Sequence, residues 1–190
     1  MILAETTDRA APASPGERAR RVEAMIRVDH AGEFGAVQIY RGQRAVFERI
    51  AGKAEAAALI ADMEAGEKTH LETFDRLVRE RGVRPTALAP LWRLAGFSLG
   101  AATALMGEKA AHACTAAVEE VIEEHYGAQA LELADGDPEL KSTVERFRAD
   151  EIGHKDTAIA HGAHDAPAYP LISAAIKLGC RVAIRASEIV

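Results

Sequence analysis

The sequence has few aromatic residues, 5% of 190, and only two cysteines. Strands are enriched in aromatic and β-branched side chains, so this alanine-rich composition favours helices packed on helices over a sheet. Cys114 and Cys180 match no metal-ligand spacing and no disulfide framework, which fits a reducing compartment. We therefore expect an all-α protein in which both cysteines are small buried side chains.

The chain also lacks an excess of basic residues, and its formal net charge is −6. That charge provides no electrostatic footprint for nucleic acid, so we expect no nucleic-acid partner. The first 20 residues carry Glu5 and Asp8 and contain no apolar run, which predicts neither a secretory signal nor a transit peptide. Residues 1–13 read as a disordered tail, and 14–190 as a single domain.

Capping and breaking residues divide the chain into helices. Ser14-Pro15-Gly16-Glu17 is a capping box with proline at the first helical position, so a helix should run from here to about residue 50. Gly82 closes a second helix over 53–81. A third long helix is predicted over about 107–134, and a fourth from Pro138 to about Gly162.

Two Glu-x-x-His sequences, Glu67 to His70 and Glu151 to His154, are the central motifs. On a helix, residues three apart lie about 5–6 Å from each other, so each pair can present a carboxylate and an imidazole to one metal ion. Glu33 precedes Glu67 by 34 positions and Glu119 precedes Glu151 by 32, which indicates a duplicated helix pair. This is the ligand arrangement of ferritin-like di-iron and di-manganese bundles, so we predict a ferritin-like four-helix bundle with additional apolar and amphipathic helices.

The carboxylates of these motifs fall within apolar stripes. Ile26, Val37 and Tyr40 share the helix face of Glu33, and a carboxylate facing a core needs a cation or a proton. Two divalent ions would balance four carboxylates, and mixed oxygen and imidazole ligands favour iron or manganese. Glu64 and Glu120 remain rival ligands at this stage, and a metal-free bundle with coincidental motifs is the alternative. Gly32 and Gly35 suggest close packing beside the site.

Two further segments are more apolar than the rest. Residues 88–106 carry Arg93 as their only charge, and three interpretations stay open: a helix on a membrane surface, a core helix or a membrane-spanning helix. Residues 171–186 combine an apolar face with Lys177, Arg181 and Arg185. That cationic stripe suits either an anionic membrane surface or the solvated edge of a docked helix.

Five stretches resemble the demethoxyubiquinone hydroxylase family of ubiquinone biosynthesis, and the similarity runs from about residue 20 to the C-terminus. They are RVDHAGEFGA, EAGEKTH, ACTAAVEEVIEEHYGAQ, RADEIGH and GCRVAIRASE. The resemblance implies a di-iron monooxygenase with two Fe ions per chain, O₂ as co-substrate and NADH as candidate electron donor, acting directly or through the quinone. It places Glu119 rather than Glu120 among the ligands and puts His125 and Tyr126 near the iron and the substrate channel. The implied metal ligands are Glu33, Glu67, His70, Glu119, Glu151 and His154.

The resemblance also implies the partners of the protein. The substrate would be a prenylated demethoxyubiquinol, and segments 88–106 and 171–186 would form the walls of a channel for its tail that opens to the bilayer. We expect a peripheral membrane protein on the cytoplasmic face of a bacterial inner membrane, with a lipid-binding partner protein; the oligomeric state stays open. The rival function is a ferroxidase or a rubrerythrin-like protein that detoxifies peroxide or iron.

Overall fold

A computed structural model describes residues 14–134 and 136–190, and the predicted tail at 1–13 lies outside the described residues. In chain order its helices are α1 (Pro15–Phe47), α2 (Ala54–Arg81), α3 (Ala89–Leu105), α4 (Glu108–Glu132), α5 (Pro138–Ala160) and α6 (Tyr169–Ile189), with a short 3₁₀ helix at Ala163–Asp165. These two described segments contain no strand. The prediction of an all-α, ferritin-like bundle is therefore confirmed.

Capping residues set three of the helix ends. Ser14 and Glu17 bond reciprocally at the start of α1, and Asp137 accepts a hydrogen bond from the Leu140 amide at 3.0 Å at the start of α5. Gly82 ends α2 in the left-handed region, with φ of 65°. The first helix ends at Phe47 rather than near residue 50. The last helix is longer than predicted, because Pro170 lies in its first turn, where the missing N–H costs nothing.

The bundle consists of two helix pairs with two covering helices. α1 packs on α2 and α4 packs on α5, while α3 covers α1 and α6 covers α4 and α1. Gln43 contacts Ala111 and Asp29 contacts Gln129, so α1 and α4 are antiparallel. Two apolar clusters fill opposite ends of the interior, one around Ile26, Phe74, Leu77, Tyr126 and Phe147, and the other around Tyr40, Phe47, Ile60 and Met63. The charged residues of the motifs lie between these clusters.

Glycines allow α3 to lie directly on the backbone of α1. A Cβ atom at Gly42 would come within 2.2 Å of the Phe97 carbonyl oxygen, and one at Gly100 within 2.0 Å of the Ile39 carbonyl oxygen. Of Gly32 and Gly35, which the sequence suggested as close-packing residues, only Gly35 is closely approached through its backbone, since a Cβ at Gly96 of α3 would lie 2.9 Å from its carbonyl oxygen. An added Cβ at either position would meet no atom within 4 Å, because both glycines border a cavity.

The covering helices α3 and α6 differ in what their outer sides present. α3 exposes Leu94 and Phe97 on its outer side. On α6, Lys177 pairs with Glu120 at 2.6 Å and Arg181 pairs with Glu124 at 3.0 Å, so these two cations form the edge of a docked helix. Within the described ranges, no helix combines the length and the apolar character that crossing a bilayer requires.

We expect Gly100→Ala to destabilise the protein although alanine favours helix. The added methyl group overlaps the α1 backbone, and overpacking of this kind costs about 1–3 kcal/mol. The matched control is Gly179→Ala on α6, where an added Cβ meets nothing within 4 Å. Because alanine favours helix, this change should increase the free energy of unfolding, by at most about 1 kcal/mol. Chemical denaturation measures both free energies of unfolding, and equal effects of the two changes would contradict the close α1–α3 contact.

Candidate metal centre

All six predicted ligands converge at the centre of the two helix pairs. Glu33 comes from α1, Glu67 and His70 from α2, Glu119 from α4, and Glu151 and His154 from α5. None of the four carboxylate residues is more than 1% exposed. Burial of several carboxylates in one place is costly unless each has a counter-charge, so the centre requires cations or protons.

The side chains form two overlapping groups, each able to surround one ion. The first group is Glu33, Glu67, His70 and Glu151, and the second is Glu67, Glu119, Glu151 and His154. Within each group, one ligand atom from every residue lies within 4.8 Å of the others. Glu67 and Glu151 belong to both groups. The motif spacing had suggested one Glu-x-x-His per metal, whereas this geometry lets the glutamate of each motif bridge two positions.

Each histidine contacts the glutamate of the other motif. His70 Nδ1 lies 3.1 Å from Glu151 Oε1, and His154 Nδ1 lies 2.8 Å from Glu67 Oε1. His70 Nδ1 is also 3.6 Å from Glu33 Oε2. Both imidazoles therefore direct a ring nitrogen into the shared space between the carboxylates.

Unpaired polar atoms in this space test whether the residues fit a metal. Six buried atoms of these side chains make at most ion-pair contacts within the centre and no hydrogen bond of good geometry among the described residues: Glu33 Oε2, both Oε atoms of Glu67, His70 Nδ1, Glu119 Oε2 and Glu151 Oε1. Orphaned buried acceptors of this kind are rare unless an ion or water satisfies them. Carboxylate oxygens with imidazole nitrogens suit iron or manganese, so the donor set fits such ions.

In the absence of metal, protons balance the charge of the centre. Burial and the nearby charges of Glu67 and Glu151 raise the pKa of Glu33. Burial would also raise the pKa of Glu67, but the close contacts with the His154 and His70 imidazoles outweigh it and lower that pKa to about 2. Burial opposes charge on His154, yet its contacts with the Glu151 and Glu67 carboxylates raise its pKa to about 10. The metal-free centre thus holds imidazolium ions and protonated carboxyl groups.

Three residues support the candidate ligands, and sequence reasoning assigned none of them this role. Tyr40, expected only in the apolar stripe, donates from its hydroxyl to Glu119 Oε1 at 2.5 Å. Tyr126 donates in the same way to Glu33 Oε1. His70 Nε2 lies 3.2 Å from Asp150 Oδ2, a carboxylate that can orient the imidazole. Two sequence features could have indicated these roles: Tyr40 follows Glu33 by two helical turns, and Asp150 is adjacent to Glu151.

The rival ligands lie outside both groups. Glu64 is buried, but Lys68 and Arg44 approach its carboxylate to 2.6 and 2.7 Å. Glu120 pairs with Lys177, so the geometry puts Glu119 in the centre and Glu120 at its edge. His125 also lies outside.

Histidines at the far end of α5 are likewise separate from the centre. His161 and His164 are exposed. The His161 ring lies near that of the buried His112, with centroids 5.3 Å apart and the ring planes tilted by 36°. The two metal-holding groups found among the described residues include none of these three side chains.

An apolar cavity of about 520 Å³ lies beside the centre, between α1, α3, α4 and α6. Gly32 and Val118 line it, and they are the chain neighbours of Glu33 and Glu119. Leu99, Ile122 and Gly179 also line it. A hydrophobic ligand of drug-like size would fit this volume and would lie next to the carboxylates.

Comparison with known proteins identifies relatives over nearly the whole chain. Residues 20–187 match the family described as ubiquinone biosynthesis protein COQ7. The 3-demethoxyubiquinol 3-hydroxylase of Rhodospirillum rubrum is 48% identical over 184 residues, covering 97% of this chain and 85% of that protein. The mitochondrial NADPH-dependent 3-demethoxyubiquinone 3-hydroxylase of Mus musculus is 47% identical, covering 88% and 77%. The mitochondrial 5-demethoxyubiquinone hydroxylase of Saccharomyces cerevisiae is 42% identical, with the same coverage.

Metal binding to this centre should release protons. Imidazoles must be neutral and carboxyls ionised to bind a metal, whereas the raised pKa values of His70, His154, Glu33 and Glu119 keep protons on the metal-free centre near pH 7. We expect about two to four protons released per chain, and an affinity that rises as pH rises. Calorimetry of ferrous or manganous binding in buffers of different ionisation enthalpy measures this release. Binding without proton release between pH 6 and 8 would contradict the proposed charge balance.

Proposed function

This chain belongs to the COQ7 family of ubiquinone biosynthesis proteins, and from that premise we propose that it hydroxylates the ring of a prenylated demethoxyubiquinol with O₂. One observation carries the proposal beyond family membership: a buried carboxylate and histidine centre lies directly against an apolar cavity. A ferroxidase or a peroxide-detoxifying protein needs the first feature and has no use for the second. The juxtaposition therefore supports an oxidation carried out on a hydrophobic substrate.

We propose that the centre holds two iron ions through Glu33, Glu67, His70, Glu119, Glu151 and His154. Iron bound there would supply redox chemistry with O₂ that amino-acid side chains lack. Neighbouring side chains keep the ligands in place: the Tyr40 hydroxyl donates a hydrogen bond to Glu119, and the Tyr126 hydroxyl donates one to Glu33. Asp150 holds Nε2 of His70, which leaves Nδ1 facing the centre.

The cavity is the proposed binding site for the quinol. Its lining is almost wholly apolar, and its volume suits a small ring together with the beginning of a prenyl tail. Gly32 and Ala36 form the wall on the α1 side, next to Glu33, so a ring placed there lies closest to the metals. Small side chains also exclude water without filling the site. We propose that Tyr126 and His125 lie near the ring, since Tyr126 contacts Glu33 and His125 is one helical turn beyond Ile122.

The reaction replaces a ring C–H bond with C–OH and releases the second oxygen atom of O₂ as water, so two electrons and two protons must be supplied. NADH was the donor expected from sequence, whereas the mouse relative is named NADPH-dependent. We propose a reduced nicotinamide as the electron source, acting directly or through the quinone. The hydroxylation rates with NADPH and with NADH should be compared to identify the donor.

We propose that residues 14–190 act as a single domain that meets the membrane through α3 and α6. The outer sides of these helices expose Leu91, Leu94, Phe97, Leu171, Leu178 and Val182. Apolar side chains of this kind, next to a cavity for a prenylated ring, suit peripheral contact with lipid on the cytoplasmic face of an inner membrane. A lipid-binding partner protein could deliver the quinol to the same surface.

We predict that the Gly35→Leu variant loses hydroxylation while keeping its metal. An added side chain at Gly35 projects into open space at the cavity wall and would occupy the place of the substrate. Protein loaded anaerobically with ferrous iron would receive a short-chain demethoxyubiquinol, NADPH and oxygen-18-labelled O₂. Mass analysis should find labelled oxygen on the ring for the wild type, and a rate at least about tenfold lower for the variant.

The matched control is Gly16→Leu, the same change on the exposed first turn of α1. It should hydroxylate like the wild type. If Gly35→Leu is fully active with the wild-type affinity for quinol, the cavity is not the substrate site. If the wild type consumes O₂ with iron but leaves the ring unlabelled, the ferroxidase alternative replaces the hydroxylase.

A further inference from the structure

The apolar cavity has two polar side chains in its wall, and they bond to each other. Among the described residues that line it, only Trp92 and Ser187 carry a nitrogen or an oxygen in the side chain. Trp92 Nε1 on α3 donates to Ser187 Oγ on α6 at 3.1 Å. Ser187 is 2% exposed, so its hydroxyl is removed from bulk water. A few polar groups in an otherwise apolar wall are what fixes the orientation of a bound ligand.

The hydroxyl proton of Ser187 has no acceptor among the described residues. An indole N–H can only donate, so Ser187 accepts the bond from Trp92 and its own proton points elsewhere. Hydroxyls on helices commonly donate to the carbonyl four residues earlier. Thr73, Thr103 and Thr157 do so here, at 2.8–3.0 Å, whereas the bond from Trp92 is the only one that Ser187 makes within the described ranges. A buried donor without an acceptor is costly, so this hydroxyl indicates a ligand that supplies an oxygen.

Contacts between α6 and α1 place Ser187 at the end of the cavity that Val28 lines. Arg27 Nη1 donates to the Glu188 carbonyl at 3.1 Å, which holds the end of α6 beside α1. Val28 is the next residue on α1 and lines the cavity. Gly32, the chain neighbour of a candidate metal ligand, follows Val28 by four residues, or about 6 Å along the helix axis. A ring placed beside Gly32 would therefore have the metal centre at one edge and would extend toward Ser187 at the other.

The chemistry of a demethoxyubiquinol ring matches this arrangement. The ring carries oxygen atoms on opposite edges, and each can accept a hydrogen bond, while its methyl group and prenyl tail need only apolar contact. Apart from the weak donor of the Cys180 thiol, the rest of the described wall offers side chains of carbon and hydrogen only. A ring that turned its oxygens away from Ser187 would leave them against hydrocarbon and the hydroxyl unpaired. One donor can therefore select one orientation of the ring.

We propose that Ser187 is a substrate-binding residue, whose hydroxyl donates a hydrogen bond to one ring oxygen of the quinol and so fixes which ring atom faces the metals. This inference rests on the proposed function. Trp92 occupies the acceptor side of the hydroxyl and thereby leaves its proton directed into the cavity. Such orientation contributes to the rate as well as to affinity, because a misplaced ring presents the wrong atom to the centre.

Calorimetry on the metal-free full chain tests the hydrogen bond without any activity measurement. The two ligands are a short-chain demethoxyubiquinone and an oxygen-free analogue, a benzene ring with the same methyl group and prenyl tail. Ser187→Ala should weaken binding of the quinone about 3–10-fold and leave binding of the analogue unchanged. The matched control is Ser173→Ala, which removes a buried serine of the same helix outside the cavity wall and should change neither affinity.

Fluorescence shows where the quinone binds. Trp92 is the only tryptophan of the chain, so a quinone in the cavity should quench its emission. Quinone binding that leaves this emission unchanged would overturn the proposal. The proposal also fails if Ser187→Ala weakens both ligands equally, which would reveal a purely structural serine, or if it weakens neither.

Hydroxylation kinetics supply the second test and separate this inference from the proposed function. Ser187→Ala should lower kcat/KM for ring hydroxylation about 3–10-fold at unchanged iron content, and Ser173→Ala should not lower it. A Ser187→Ala enzyme as efficient as the wild type would overturn the role of Ser187 and leave the proposed function standing. A wild type that binds the quinone through Ser187 but never hydroxylates it would remove the proposed function, while the binding result still supports the hydrogen bond.

Discussion

Four glutamates share the centre of this bundle, and every one of them is almost completely removed from water. The cost of burying a carboxylate is several kcal/mol even after the protein relaxes, so four in one place cannot persist as bare charges. Two imidazoles lie among them, and tyrosine hydroxyls donate hydrogen bonds to two of the four, Glu33 and Glu119. Apolar clusters close the space at both ends. The remaining polar atoms in the centre are those that a metal would satisfy.

This electrostatic requirement explains why the helices are arranged as two pairs with a shared interior. Glu67 and Glu151 come from helices of different pairs, and each belongs to both groups of candidate ligands. Small residues then determine where the covering helices can approach. Gly42 and Gly100 let α3 touch the α1 backbone, whereas Gly32 and Gly35 keep space open beside Glu33. The same helix α1 thus carries a candidate ligand on one side and a cavity wall on the other.

Much of this architecture could be predicted from local sequence signals. Capping residues and glycines placed several helix ends, and the duplicated Glu-x-x-His spacing led to the bundle and to its candidate ligands, while the family resemblance chose Glu119 over Glu120. Contacts between residues far apart in the sequence could not be predicted from local signals. The sharing of Glu67 and Glu151 depends on how two helix pairs approach each other, and the role of Gly35 depends on where α3 lies. Asp29 and Gln129 are 100 residues apart, so no local pattern indicates their hydrogen bond.

The membership of Glu67 and Glu151 in both groups predicts a centre in which two metals share these carboxylates. Mössbauer spectroscopy of protein loaded with iron-57 under anaerobic conditions and then oxidised counts the ions and reports their interaction. We predict two irons per chain that become a magnetically coupled ferric pair, as carboxylate-bridged ions in this bundle should. One iron per chain, or two irons that remain magnetically independent, would contradict a shared centre.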